Sequence, residues 1–239
     1  MPNPVELLRN ILTEEFSSDL PPGVHPVPGW CADPQFFPGA TGLLDAETWS
    51  EVQPGVAGLA EAVLSAPERG VIVLGNYQAS LSSYQRIMSG EIGGLPTTWR
   101  NLGRLLSAVS PRDVFLTNAF IGFPDTGSDI DRFPTTPDYT ARCQRLLTTT
   151  IALLRPRCVV AMGSSAARML AQTVASLGLW RPWPGLAKLE QKGLRIMPGC
   201  QVAEVCFTAV AVAHPSSRIS DEQRKIEAAL VGAAAVVHD

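Results

Sequence analysis

Apolar residues along this chain alternate between two kinds of pattern. Val71-Ile72-Val73-Leu74, Val114 to Thr117, Val159 to Met162 and Phe207 to Ala213 are short, nearly unbroken apolar runs rich in β-branched residues. Runs of this length, bounded by turn residues, predict strands buried on both faces. Between them the apolar positions return at helical spacing. Thr98 to Val109 places Trp99, Leu102, Leu105 and Leu106 on one face, and Ser110-Pro111 ends it. Thr136-Pro137 pairs a capping hydroxyl with a proline at the first turn. The helix it predicts presents Tyr139, Cys143, Leu146, Leu147 and Leu154, and stops near Arg155-Pro156. Ser165 to Leu177 predicts a small-residue helix ended by Gly178, and Ser220 with Gln223 predicts a capping box that opens a final helix. The alternation predicts an α/β fold: a three-layer α/β/α sandwich around a central, mainly parallel four-stranded sheet.

The flanks are less regular. Val5, Leu8, Ile11, Leu12 and Phe16 predict a first amphipathic helix. Leu20 to Gly42 is rich in proline and glycine and reads as an irregular wrap. Helical spacing returns from Asp45 to Leu64, with a break at Pro54-Gly55. Trp180 to Gly199 has no single period and fits a loop with a short strand at Leu194 to Met197. The expected organisation is one domain over residues 1–239, with residues 1–65 as an N-terminal extension and 66–239 as the core.

Composition narrows the function. The net charge is −3 and no long basic run occurs, which excludes coating of nucleic acid by bulk charge but not local capture of a few phosphates. The five cysteines (Cys31, Cys143, Cys158, Cys200 and Cys206) form no C-x-x-C pair, and their odd number suits a reduced, cytoplasmic protein. Met1-Pro2-Asn3-Pro4 lacks the basic start and apolar run of a secretion signal, and no apolar run is long enough to predict a membrane span.

Residues fit for chemistry stand at the end of every predicted strand. The first runs into Gly75-Asn76-Tyr77-Gln78-Ala79-Ser80, the second into Asn118-Ala119-Phe120, the third into Gly163-Ser164-Ser165 and the fourth into His214-Pro215-Ser216-Ser217-Arg218. Open α/β sheets bind ligands at this carboxyl edge. Of the three histidines, only His214 is so placed. The glycine at 75 allows a close backbone approach, and the helix start at 163–165 is suited to a phosphate.

Three of these segments, in this order, resemble the uracil-DNA glycosylase superfamily: a G-x-x-P-G-like motif at Gly75–Ala79, an asparagine ending the second strand at Asn118, and an H-P-S motif at His214–Ser217. Arg132-Phe133-Pro134-Thr135-Thr136-Pro137, followed by Cys143, is similar to a segment of the bacterial and archaeal iron–sulfur branch. So is Leu153-Leu154-Arg155-Pro156 with Val160-Ala161-Met162-Gly163. The resemblance spans Val71 to Arg218.

It implies an enzyme that flips a nucleotide from DNA and hydrolyses its N-glycosidic bond, leaving an abasic site. On that reading Asn118 reads the edge of the base. Its amide suits uracil, and the turned amide suits cytosine. His214 stabilises the charge on the departing base. Arg218 takes the place of the wedge that fills the vacated stack, and can also grip phosphate. Ser216, Ser217, Ser80, Ser164 and Ser165 are candidate phosphate donors, and Tyr77 and Phe120 candidate stacking partners.

Two positions depart from the family pattern. Tyr77 stands where a water-activating Asp or Asn is usual, followed by Gln78 in place of proline. Asn76 is then the candidate to position water, with Asp125, Asp129 and Asp131 as substitutes. The small Ala79 replaces the tyrosine that blocks 5-substituted pyrimidines in strict uracil enzymes, which opens the substrate range to 5-modified pyrimidines, such as modified cytosine of phage DNA. In the iron–sulfur branch four thiolates hold the cluster. Here only Cys143 matches, Gly122 occupies another ligand place, and no cluster, metal or other cofactor is expected. No strand-end lysine is present to form a Schiff base, so the expected enzyme is monofunctional and acts as a monomer on DNA, in repair or phage defence. The alternatives are a glycosylase fold reduced to binding DNA or a protein, and a hydrolase using Ser164 or Ser165. The segment Gly163-Ser164-Ser165 lacks the G-x-S-x-G pattern of the latter.

Overall fold

The computed structural model describes residues 4–26, 69–77, 80–82, 97–110, 113–125 and 133–236. The expected irregular wrap beyond residue 26 and the helix at Asp45–Leu64 lie outside them, as do Gln78, Ala79, Asp129, Asp131 and Arg132.

The chain order is α1 (Pro4–Glu15), β1 (Val24–His25), β2 (Val71–Gly75), α2 (Thr97–Leu105), β3 (Val114–Asn118), β4 (Phe123–Pro124), α3 (Pro137–Leu154), β5 (Cys158–Met162), α4 (Gly163–Thr173), a 3₁₀ segment (Ala175–Trp180), α5 (Leu186–Gln191), β6 (Ile196–Val202), β7 (Val205–Val212) and α6 (Asp221–Val236). The main sheet runs β3-β2-β5-β7-β6. The first four of these are mutually parallel, and β6 lies antiparallel to β7 at the edge.

The sheet therefore has five strands, not the expected four. The added strand contains Pro198 and Gly199, which spoil an apolar period. They fall where the register shifts between Met197 and Cys200. A bulge on an edge strand tolerates a residue with no N–H. Two helical expectations also shift. The helix expected to reach Leu177 stops at Thr173, because Val174 is extended (φ −114°, ψ 112°) and a 3₁₀ segment follows. The helix expected to end at Val109 ends at Leu105 and continues as turns.

Side chains of each central strand divide between two cores, as alternation in a strand dictates. Ile72, Leu74, Phe115, Val159, Ala161, Ala209 and Ala211 join the core built with α1, α3 and α4. Val71, Val73, Val114, Leu116, Val160, Val210 and Val212 join the core built with α2 and α6. This is the three-layer arrangement. Helix ends follow the local chemistry. Thr136 Oγ1 accepts the Tyr139 N–H at 3.3 Å, and Arg155 closes α3 in the left-handed region (φ 46°). Ser220 Oγ accepts the Gln223 N–H at 3.1 Å to open α6.

The N-terminal helix is pinned from α3. Leu8, Leu12 and Phe16 are buried at four-residue spacing. The Arg142 guanidinium donates to the Glu15 carbonyl at 2.6 Å and lies 5.8 Å from the Phe16 and Tyr139 ring centres.

Candidate active site

Parallel order brings the ends of β2, β3, β5 and β7 to one edge. Gly75 pairs with Asn118. The turns beyond remain tied, with Ala119 N–H donating to Gly75 O (2.9 Å) and Phe120 N–H to Asn76 O (3.0 Å). The chain leaves β2 for β3 on one side, and β5 then adds on the other side of β2. Asn76 thus sits where the winding reverses, the usual ligand crevice of such sheets.

Asn76 is buried, and its Oδ1 accepts the Ala166 N–H from the first turn of α4 at 3.2 Å. That bond fixes the amide orientation and leaves Nδ2 as a buried donor with no partner. Asn118 is buried as well and presents a second unpartnered donor, its own Nδ2. Gly163 joins the group by close approach. A Cβ there would stand 3.3 Å from both Asn76 Nδ2 and His214 Cβ, and its φ of +84° suits glycine. Asn76, Gly163 and His214 are therefore in mutual proximity, with Asn118 one strand away.

His214 accepts the Ser216 N–H on Nδ1 at 3.3 Å, and Ser216 Oγ lies 2.7 Å from the same nitrogen. Occupying Nδ1 as an acceptor places the ring proton on Nε2. Desolvation lowers the imidazole pKa to about 4. The histidine is therefore neutral at physiological pH and carries an N–H donor rather than a cation.

An aromatic group borders the asparagines. Phe120 stacks on Phe133 (5.3 Å, 15° between planes) and on Tyr139 (6.3 Å, 14°), and Tyr77 leans on Phe133 at 4.9 Å. Tyr139 is anchored by donating to Ile121 O at 2.6 Å. Phe120 and Tyr77 are half-buried. Phe133 and Tyr139 back this group, a role that the sequence does not mark, since Phe133 falls in a motif and Tyr139 on a helix face.

Residues 86–234 match the family model described as Uracil DNA glycosylase superfamily, more than half of the chain. The chain belongs to the uracil-DNA glycosylase superfamily. No curated protein matches it. The match takes in Asn118 and His214 but begins after β2, so the Gly75–Ala79 segment with its departures lies outside it.

The remaining expected residues of this superfamily member are placed as follows. Ser164 and Ser165 lie half-buried in the first turn of α4. Ser217 donates its N–H to His214 O at 2.8 Å, closing a turn around Pro215 and Ser216, and Arg218 is exposed just beyond. Ser80 is buried, with its hydroxyl 3.2 Å from that of Ser82. Asp125 is exposed at the end of the β1–β4 ribbon, where its Oδ1 meets Nε2 of His25. Cys143 is buried beside Tyr139, and burial pushes its thiol up to about 11. Among the described residues no group of three or more His, Cys, Asp or Glu side chains is arranged to hold a metal ion, and no helix is long and apolar enough to cross a membrane.

Proposed function

We propose that this protein is a monofunctional DNA glycosylase that excises uracil or a 5-modified pyrimidine and leaves an abasic site. The observation that carries this reading is the set of donors at one sheet edge: Asn118 Nδ2 and Asn76 Nδ2, both buried and unpartnered, and neutral His214 with its proton on Nε2. Buried donors without partners are costly, about 1–3 kcal/mol each. A ligand rich in acceptors, such as the carbonyl edge of a pyrimidine, relieves that cost. Asn118 is the reader of the base edge. His214 Nε2–H donates to the base oxygen on which negative charge collects as the bond to the sugar breaks, a device that gains strength in a site shielded from water. Because the imidazole begins neutral, it gives a hydrogen bond rather than its proton. Phe120, supported by Phe133 and Tyr139, offers the face on which the flipped base stacks.

Water is the second reactant. Asn76 has its acceptor committed to Ala166, so it acts as a donor and not as a base. Bond breaking therefore leads, the base departs as an anion, and water then adds to the cationic sugar, its released proton neutralising the base anion. Arg218, Ser216 and Ser217 serve the DNA backbone and the vacated stack.

The test is a set of oligonucleotides carrying uracil, 5-hydroxymethyluracil, 5-hydroxymethylcytosine and a glycosylated cytosine, each treated with alkali after incubation. Strand cleavage with at least one of them is expected. Asn118→Ala and His214→Ala are each expected to slow it about 10²–10³-fold. Absence of abasic product with every base rejects the enzyme. The lack of a carboxylate base on Asn76's strand end favours a second reading, a glycosylase fold that binds DNA without cutting. Tight binding to a modified oligonucleotide with no base release selects it.

A further inference from the structure

The turn that carries His214 is held from behind by two buried polar side chains of the α2–α6 layer. Glu227 on α6 accepts the Ala213 N–H on Oε1 at 3.1 Å. Asn101 on α2 donates from Nδ2 to the Pro215 carbonyl at 2.7 Å. These backbone groups flank His214 on either side, just past the end of β7, where the ladder no longer serves them. Glu227 is 3% exposed and Asn101 8% exposed, so both contacts are shielded from water.

Glu227 is itself fixed. Arg195, 5% exposed, donates to the same Oε1 at 2.9 Å, to Glu190 at 2.8 Å and to the Ala211 carbonyl at 3.2 Å. A buried ion pair adds little net stability compared with apolar side chains of similar size, so its presence here calls for a geometric reason. A small cavity bounded by Asn101, Leu105, Ala213, Pro215, Arg224 and Glu227 lies behind the turn.

We propose that Asn101 and Glu227 are positioning residues that hold the His214 turn at the height the reaction needs, with Arg195 orienting Glu227. The proposal rests on the reading of His214 as the donor to the leaving base. It acts through the backbone of the two residues next to His214 and involves no contact with DNA. Displacing a reacting group by about 1 Å costs up to ~10²-fold in rate.

The test uses the full chain with ¹⁵N-labelled histidine, the other two histidines serving as internal references. Asn101→Ala and Glu227→Leu are compared with wild type by imidazole NMR, by single-turnover base release and by binding to an oligonucleotide with an uncleavable nucleotide. Each folded variant is expected to move the His214 ring signals and to slow release about 10- to 100-fold, with DNA affinity little changed. A lowered melting temperature with unmoved His214 signals and an unchanged rate overturns the proposal, as does a moved signal with an unchanged rate. If Glu227→Leu does not fold, Asn101→Ala decides alone. If wild type releases no base at all, the glycosylase reading fails, and the ring signals by themselves decide whether the two residues hold the turn.

Discussion

Asn76 Oδ1 accepts the backbone N–H of Ala166 at 3.2 Å, joining the end of β2 to the first turn of α4. One amide thus does two jobs. It bonds a donor in the first turn of α4, and it holds its own Nδ2 buried beside Gly163. Asn76→Ala removes this side-chain bond to α4, at a cost of about 0.5–1.5 kcal/mol, because the Ala166 N–H lies in the first turn of α4 and keeps its intrahelical partner. Asn76→Asp keeps an acceptor at a helix N-terminus, where negative charge is favourable, but cannot donate. Urea unfolding is expected to show the aspartate variant more stable than the alanine variant, while both lose base-release activity. An active aspartate variant would mean that a base, and not a donor, is what the position supplies.

Gly163→Ala tests the close approach that brings the strand ends together. The residue has φ +84°, which costs an L side chain about 1–2 kcal/mol. The new methyl would also press on Asn76 Nδ2 and His214 Cβ, each at 3.3 Å. The expected outcome is a moderately lower melting temperature together with a disproportionate loss of activity. A variant with wild-type activity would show that the pocket does not depend on this spacing.

His214 predicts a pH dependence with a definite sign. Desolvation lowers its pKa from 6.5 to about 4 in the folded protein. Between these values the unfolded chain holds a proton that the folded chain lacks, so acidification favours unfolding. The contribution of this residue to stability is flat above 6.5 and falls as the pH drops from 6.5 through about 4. His214→Gln is expected to flatten that slope in denaturant titrations. Base release is expected to persist well below the ordinary histidine range and to fade only near pH 4, where protonation of Nδ1 breaks its bond from the Ser216 N–H and releases the ring from its turn. An acid limb centred at the ordinary histidine pKa would contradict the buried, neutral assignment.

The parts of this fold that the sequence makes legible are those set by local rules. The four parallel strands stand out because both their faces are buried, which leaves continuous apolar runs such as Val71 to Leu74. Asn118 and His214 stand out because a polar residue directly after such a run falls at the sheet edge. The edge strand Ile196–Val202 stands out only at its start, where a short strand is expected at Leu194–Met197, because Pro198 and Gly199 interrupt it and pairing with β7 carries it on. Asn101 and Glu227 carried a faint signal, as polar residues on otherwise apolar helix faces with Leu105 and Val231 four positions on. Their partners are set by tertiary packing. Pro215 lies 114 positions from Asn101, and no periodicity encodes that contact. The same holds for Asn76 and Ala166, 90 positions apart.

The aromatic group separates a stacking residue from its support. Phe120 is half-buried and Phe133 is 9% exposed, their rings stacked at 5.3 Å. Phe120→Ala removes the surface on which a base would stack, worth about 1–3 kcal/mol of binding, at a smaller cost in stability because the side chain is partly open. Phe133→Ala empties a buried site and is expected to cost about 3–5 kcal/mol of stability. Phe133→Leu keeps most of the volume without the flat face. Fluorescence titration with an oligonucleotide bearing an uncleavable nucleotide, alongside thermal unfolding, checks the division. The expected order is weakened binding with near-normal stability for Phe120→Ala, and near-normal binding with reduced stability for Phe133→Leu. The reverse order would move the stacking face from Phe120 to Phe133.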